Sequence, residues 1–340
     1  MSECLVSIIC TAFNHERYIR QTLDGFLMQK TSFPYEVLIN DDASTDRTAE
    51  IIKEYEKEHG GIIKAFYQEE NMYSKGVSPS TLLRSKAKSK YVAVCEGDDF
   101  WVDENKLQRQ VDFLEAHPDY SLCVHSGYYA YENGVLQKNL FKAFDCDKTV
   151  TTEEMISGWL FPTASLVYRR VCKKSDVPVF RGNCPVGDYP TMIDLSLEGK
   201  VYYFNKPMSA YRRMSVSSVS AKVSKDPSKQ VKHNYAIIEM LRRLNAYTEG
   251  KYIDAINKTI DMRLFTIATL EHDIDGLKKT KKYQSLSVRA QRKAIKNAKV
   301  PNPIMQQAKA ELRKLKAKIK YRCEVEKMKT CKIPNVRVID

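Results

Sequence analysis

Two periodicities alternate along the first 120 residues. Val6–Thr11 is a short apolar run, and the next stretch, about Glu16–Gln29, spaces Ile19, Leu23 and Phe26 along one helical face. Tyr35–Asn40 reads as a second strand, followed by a helix over Thr48–Glu58 with Ile51, Ile52 and Tyr55 on its apolar side. Ile62–Tyr67 is a third strand-like run, a helix starts near Pro79 with Leu82 and Leu83, and Tyr91–Val94 is the fourth run. A helix over about Glu104–Ala116 closes the series, with Leu107, Val111 and Leu114 in register and Asp103 as its expected cap. Strands alternating with helices predict an α/β fold, a Rossmann-like, mainly parallel sheet flanked by helices. From Val231 onward the pattern is helical throughout, with Ile238, Leu241 and Leu244, then Ile253, Ile256, Ile260, Leu264 and Ile267.

The polar residues at the strand ends change the picture. Tyr91–Val94 runs into Cys95-Glu96-Gly97-Asp98-Asp99-Phe100-Trp101, three carboxylates within four positions. In open α/β sheets ligands bind beyond the carboxyl ends of the strands. Crowded carboxylates repel unless a cation or hydrogen-bond donors lie between them, and hard oxygen ligands suit Mg²⁺ or Mn²⁺. A solvated acidic turn is the plainer alternative. The second strand likewise runs into Asp41-Asp42-Ala43-Ser44-Thr45-Asp46, where helix capping explains one acid at most. Asn14 is placed to cap the first helix, and Lys75 and Arg84 flank the third crossover, where either can approach a phosphate or simply face solvent. Trp101 is expected in the core or in a pocket wall.

Composition narrows the class. Nine cysteines without a CxxC pair fit reduced thiols, and six isolated histidines offer no zinc motif. No GxGxxG follows the first strand and no GxxxxGK[ST] occurs, which disfavours a dinucleotide fold and a P-loop. The formal charge of +13 is unevenly spread: residues 1–275 carry 35 Lys and Arg against 38 Asp and Glu, residues 276–332 carry 19 against 3. No apolar run of the ~20 residues a membrane span needs is present. The N-terminus lacks a basic leader, so a cytoplasmic protein is expected.

Taken in order, VSIICTAFN, VLINDDASTD, YVAVCEGDDFW and KLQRQVDFLEAHPD closely resemble bacterial family 2 glycosyltransferases of the GT-A fold, over about residues 4–215. The resemblance implies inverting transfer of a sugar from a UDP-sugar to an acceptor hydroxyl, with Mn²⁺ or Mg²⁺ bridging the diphosphate and stabilising the leaving group. It also implies that Thr11, Phe13 and Asn14 line the nucleotide pocket, that Asp41 and Asp42 belong to the motif reading the base, that Asp98 lies by the ribose or metal and that Asp99 holds the metal. Glu96 faces the acceptor or holds the loop. Asp188 takes the place of the catalytic acid, often preceded by Glu in the family and here by Gly187. Trp159–Tyr168 resembles the acceptor-side strand, with Thr163 and Ser165 as hydroxyl contacts, although a buried strand with an edge turn at Pro162 fits equally. Many relatives carry YRxH near the end of the domain, whereas this chain has Tyr211-Arg212-Arg213-Met214. A thioether is a poor ligand for hard cations, so either arginine contacts the diphosphate or the metal is held more loosely.

These readings divide the chain into a catalytic domain over 1–215, a serine-rich loop or lid over 216–230 and a basic helical region over 231–340. The last long helix, about Pro303–Met328, carries Ile304, Ala308, Leu312, Leu315 and Ile319 among lysines. A solvated face, a subunit contact giving a homo-oligomer, and an amphipathic segment on an anionic membrane all fit it. Nucleic-acid binding is disfavoured by the scarcity of interleaved aromatics. The expected role is bacterial surface polysaccharide or glycoconjugate synthesis at the inner face of the cytoplasmic membrane, on a glycan or lipid-linked saccharide acceptor. Its rivals are a catalytically silent binding or scaffold protein and a nucleotidyltransferase, the latter weakened by the absence of a Gly-rich basic loop at Thr11–Asn14.

Overall fold

A computed structural model describes residues 4–170, 178–212 and 226–299. Ten strands form one mixed sheet in the order β3-β2-β1-β4-β9-β6-β10-β5, with β7 beside β6 and β8 beside β10. The first half follows the sequence pattern. β1 (Val6–Ala12), β2 (Tyr35–Asp41), β3 (Ile63–Tyr67) and β4 (Tyr91–Val94) are mutually parallel and alternate with α1 (Ile19–Leu27), α2 (Thr48–Glu58) and α3 (Pro79–Lys86). Their β-branched and aliphatic residues Ile8, Val37, Ile39 and Ala93 pack with Ile19, Leu23, Phe26 and Ile52 of the helices in one core. Because the strands are parallel and in register, Ala12 opposite Asp41 and Ile9 opposite Val94, the turns after β1, β2 and β4 emerge at the same edge. Backbone bonds lock them: Asp42 N donates to Ala12 O, and Gly97 N to Thr11 O.

The second half adds β5 (Phe100–Trp101), α4 (Lys106–Ala116), β6 (Tyr120–Ala130), β7 (Leu136–Phe141), β8 (Lys148–Val150), α5 (Thr152–Ile156), β9 (Val167–Arg169), α6 (Asp188–Glu198) and β10 (Lys200–Arg212). β10 runs parallel to β6 and antiparallel to β5, pairing Ser209 with Trp101 and Ala210 with Phe100. The end of the sheet's longest strand is thereby brought beside the acid-rich turn.

Several local expectations are corrected. α1 begins three residues later than its pattern, without a side-chain cap. Asn14 adopts φ 56 and braces the β2–α2 turn, its Oδ1 accepting from Thr45 N at 2.8 Å. Asp103 holds the turn before α4 through Asn105 N and pairs with Lys206, and α4 starts at Lys106 with no side-chain cap. Of Trp159–Tyr168 only Val167 and Tyr168 lie in a strand, and the turn falls at Pro162, which leads into a short 3₁₀ turn at Thr163–Ser165. Trp101 is core: it packs edge-on against Phe26 at 4.8 Å and donates to Ala164 O.

The chain divides into two compact units, residues 1–222 with 239–259, and residues 223–238 with 260–340. α7 (Pro227–Tyr247) and α8 (Ile253–Leu270) contribute to both, and α7 includes residues 227–230, where a loop was expected. In the first unit, Thr259 donates to Ile156 O. In the second, Val231, Ile238 and Ile267 form one cluster. Ala268 forms another with residues of α9 (Ile274–Lys279), α10 (Lys281–Gln284) and α11 (Val288–Ala298). No described helix is long and apolar enough to cross a membrane. The expected helix over about 303–328, Met214 and most of the 216–230 segment lie outside the described residues.

Gly25 sets how closely α1 meets β5. A Cβ there would lie 3.0 Å from Trp101 N and 3.1 Å from Trp101 O, backbone atoms of a buried strand that cannot yield. Gly25→Ala should therefore destabilise the fold by about 1–3 kcal/mol in chemical denaturation, despite alanine's better helix propensity; a stabilised variant would contradict this packing.

Candidate functional site

The site is assembled from the turns after β1, β2 and β4, with α6 and the Thr163 turn facing them. Between the first and third turns the approach is close: a Cβ at Gly97 would meet His15 Nδ1 at 2.8 Å and Ala12 Cβ at 3.1 Å, so glycine is required by space. The β1–α1 and β2–α2 turns are stitched together by Asn14 N to Ser44 Oγ, His15 N to Thr48 Oγ1 and Glu16 N to Asp46 Oδ2.

The charges of Asp98 and Asp188 act on Glu96. Burial, followed by the charges of Asp98 and Asp188, pushes the Glu96 carboxyl up to about 8, opposed by a hydrogen bond from Thr163. The single Thr163 hydroxyl, which donates to one acid at a time, lies 3.2 Å from Asp188 Oδ2 and stands between the two. Asp188 opens α6, its Oδ1 taking Tyr189 N at 2.7 Å. Burial raises its proton affinity, while Tyr189 N–H, Thr163 and the Trp159 side chain hydrogen-bond to the carboxylate and hold the rise in check.

Asp99 is 1% exposed. Its Oδ1 accepts Arg212 N at 2.8 Å, and its Oδ2 is buried without a hydrogen-bond partner. Burial, with the charges of Asp98 and Glu96, raises its proton affinity strongly. No group of three or more His, Cys, Asp or Glu side chains among the described residues is arranged to hold a metal on its own. The donor chemistry nevertheless fits Mg²⁺ or Mn²⁺, which are commonly held by one or two carboxylates with the rest of the shell from substrate phosphates and water. The orphaned Asp99 oxygen beside Asp98 and Glu96 is where such a cation would relieve the repulsion.

Six other expected residues separate by geometry. Asp41 ends β2 with Oδ2 accepting Ser44 N, while its Oδ1 is buried without a partner. Asp42 is committed elsewhere, its two oxygens taking Met72 N at 2.8 Å and Tyr73 N at 3.1 Å to shape the loop before α3. Arg212 is also committed to protein partners. It is 2% exposed, its guanidinium donating to Asp98 O, Tyr131 O, Glu132 O and Gln21 Oε1. Arg84 lies beside Arg181, whose guanidinium is tied to Asp194 and Thr191, and the Nε of Arg84 is buried without a hydrogen-bond partner. Thr11 is half-buried at the end of β1, and the Phe13 ring is 37% exposed at the rim.

His15 is the residue the sequence reading missed. Its Nδ1 is buried without a hydrogen-bond partner, and the ring feels the charges of Asp98, Asp46, Arg212 and Asp41; burial lowers its proton affinity. Its only sequence signal was its place directly after Asn14 in the turn from β1.

The "Glycosyl transferase family 2" profile matches residues 7–176. The chain belongs to this family. An uncharacterised protein of Mycobacterium tuberculosis is 34% identical over 208 residues, 61% of this chain and 58% of that protein. The Escherichia coli UDP-Glc:alpha-D-GlcNAc-diphosphoundecaprenol beta-1,3-glucosyltransferase WfaP is 32% identical over 136 residues, 40% of this chain and 48% of that enzyme. The chain thus spans about half the length of the curated relatives it matches. Staphylococcus aureus TarS 1–349, solved with UDP-GlcNAc, aligns with a TM-score of 0.56 at 17% identity, covering 86% of this chain and 79% of that one. The fold of this family 2 glycosyltransferase is GT-A.

The raised Glu96 carboxyl fixes a pH dependence. The folded state holds a proton that the unfolded state releases between about pH 4.5 and about pH 8, so Glu96 lowers stability as pH rises through that window. In metal-free buffer, Glu96→Gln should lose less thermal stability than wild type between pH 5 and pH 8; identical pH profiles would contradict the crowding.

Proposed function

We propose that this glycosyltransferase moves a sugar from a UDP-sugar to an acceptor hydroxyl with inversion at the anomeric carbon, Asp188 serving as general base. The observation that carries this reading is the meeting of Asp188 and Glu96 through Thr163 at the open edge of the sheet, beside Asp98. Residues 1–215 supply the catalytic domain in this reading.

The donor half lies over the turns after β1 and β2. Asp41 Oδ1, buried and unpartnered, suits the N3–H of uracil. The exposed Phe13 ring and Thr11 line the base side, and Asn14 acts through the turn it braces. Asp98 is on the ribose and metal side, and Asp99 offers its free oxygen to a divalent cation. Such a cation would stabilise the negative charge that the diphosphate gains as it leaves. Arg84, beside Arg181, gives that end of the site a second source of positive charge.

In the transfer, the acceptor oxygen attacks the anomeric carbon as the bond to the diphosphate oxygen breaks, the electron pair leaving with the nucleotide. The acceptor proton passes to Asp188, whose proton affinity burial has raised, as a base working near neutral pH requires. The UDP-Glc donor in the name of WfaP supports the donor class, and its undecaprenol-linked acceptor supports a lipid-linked saccharide in surface polysaccharide synthesis. The reading puts the protein in the cytoplasm at the inner membrane face, with the basic C-terminal residues toward anionic lipid.

Asp188→Asn should lower transfer by about 10²–10⁴-fold while leaving UDP affinity unchanged. Turnover near the wild-type rate would remove Asp188 from the mechanism.

A further inference from the structure

The turn that carries Thr163 is too short to hold itself. It is closed by Ser165 N to Pro162 O and Leu166 N to Thr163 O, which leaves the carbonyls of Ala164, Ser165 and Leu166 to partners outside it. Ala164 O accepts Trp101 Nε1–H at 3.0 Å, Ser165 O accepts Gln110 Nε2–H at 2.9 Å and Leu166 O accepts Val94 N–H at 3.1 Å. Val94 lies two residues before Glu96, and Trp101 two residues after Asp99. The turn is thus fastened to both flanks of the acidic segment, and from that footing Thr163 Oγ1 reaches Asp188 Oδ2. The third fastening comes from α4. Gln110 is buried, and its amide nitrogen also donates to Cys123 O of β6 at 3.2 Å, so it joins the turn to the sheet. Its Oε1 is buried without a hydrogen-bond partner, a cost that an apolar side chain in this place would not incur. Lys106, one helical turn earlier on the same face, is buried with Nζ 4.1 Å from the centre of the Trp101 ring. One face of α4 therefore bears on two successive carbonyls of the turn, Ser165 directly and Ala164 through the indole.

We propose that Gln110 is a positioning residue for the transfer: it fixes the Thr163 turn and, through the Thr163 hydroxyl, the carboxylate of Asp188. This rests on the reading of Asp188 as base. A base must meet its proton within hydrogen-bond reach, and a misplacement of about 1 Å costs up to about 10²-fold in rate. Gln110 holds the carbonyl two residues after Thr163. Removing its donor releases that end of the turn, while Trp101 and Val94 keep the course of the chain. The donor half of the site is braced separately, by the bonds between the β1–α1 and β2–α2 turns, so nucleotide affinity does not depend on Gln110.

The test uses the full chain with Mn²⁺ and UDP-glucose, UDP-galactose or UDP-N-acetylglucosamine, following UDP release with water as acceptor. Gln110→Met keeps the length of the side chain and removes the donor. It should lower kcat about 10–100-fold with KM for the donor unchanged. Thr163→Val should show a defect of the same size, and the double variant no further loss, because both act through one hydroxyl. Hydrogen exchange supplies a readout free of turnover: the Ser165 and Leu166 amides should exchange faster in Gln110→Met while those of β1 and β2 stay protected. Gln110→Asn, which draws the amide back by one methylene, guards against a variant that fails to fold and should show the same changes in smaller measure. An unchanged kcat, additive losses in the double variant, or faster exchange throughout the sheet would overturn the role of Gln110 alone. Release of UDP from none of the donors by the wild type would overturn the donor reading, and normal turnover in Asp188→Asn the base on which the role rests.

Discussion

Arg212 holds together the part of the molecule on which the chemistry depends. Three acids in four residues cannot share a buried turn without a partner, and the partner arrives from a strand 113 residues later in the chain. The Arg212 N–H fixes Asp99, its Nε–H fixes the Asp98 carbonyl, and its remaining donors tie the turn to α1 and to the β6–β7 hairpin. Tyr18 at 4.7 Å and Phe100 at 5.1 Å flank the guanidinium. Such a buried, hydrogen-bonded cation supplies positive charge without occupying the space between the carboxylates. One oxygen of Asp99 is left without a partner by this arrangement, and the proposed cation site follows from that remainder.

The same edge divides into two halves with different physics. Toward β2 the groups are backbone-braced and polar: Asn14, Ser44, Asp46 and Thr48 stitch two turns into a rigid rim around Asp41 and His15. Toward β10 they are aromatic, with Trp159, Phe141, Tyr129 and Tyr211 in one cluster. The Thr163 hydroxyl stands on the second side, hydrogen-bonded to Asp188.

Much of the first half of the fold was legible because its signals are local. Strands β1 to β4 are apolar runs bounded by polar turns, and acids at parallel strand ends announce a site. β6 and β10 escaped notice, since Tyr128, Tyr129, Lys206 and Pro207 interrupt any simple alternation and their pairing is long-range. For the same reason the position of Arg212 was anticipated but its role was not. The motif suggested contact with diphosphate, whereas tertiary packing directs its guanidinium to three backbone carbonyls and the Gln21 side chain. Asp42 is a similar case: a strand-tip acid is equally able to hold a loop, and only the positions of Met72 N and Tyr73 N decide. His15 could not be recognised from its own residue type, because its significance is the 2.8 Å approach to Gly97 in another turn.

The central claim is that the acids of the Glu96–Asp99 turn and a nucleotide diphosphate complete each other through a divalent cation. Thermal unfolding with Mn²⁺ alone, UDP alone and both together tests it most directly. The account predicts that the combined shift exceeds the sum of the separate shifts in the wild type and falls to that sum in Asp99→Asn. Equal shifts with and without Mn²⁺, or full coupling in Asp99→Asn, would contradict it.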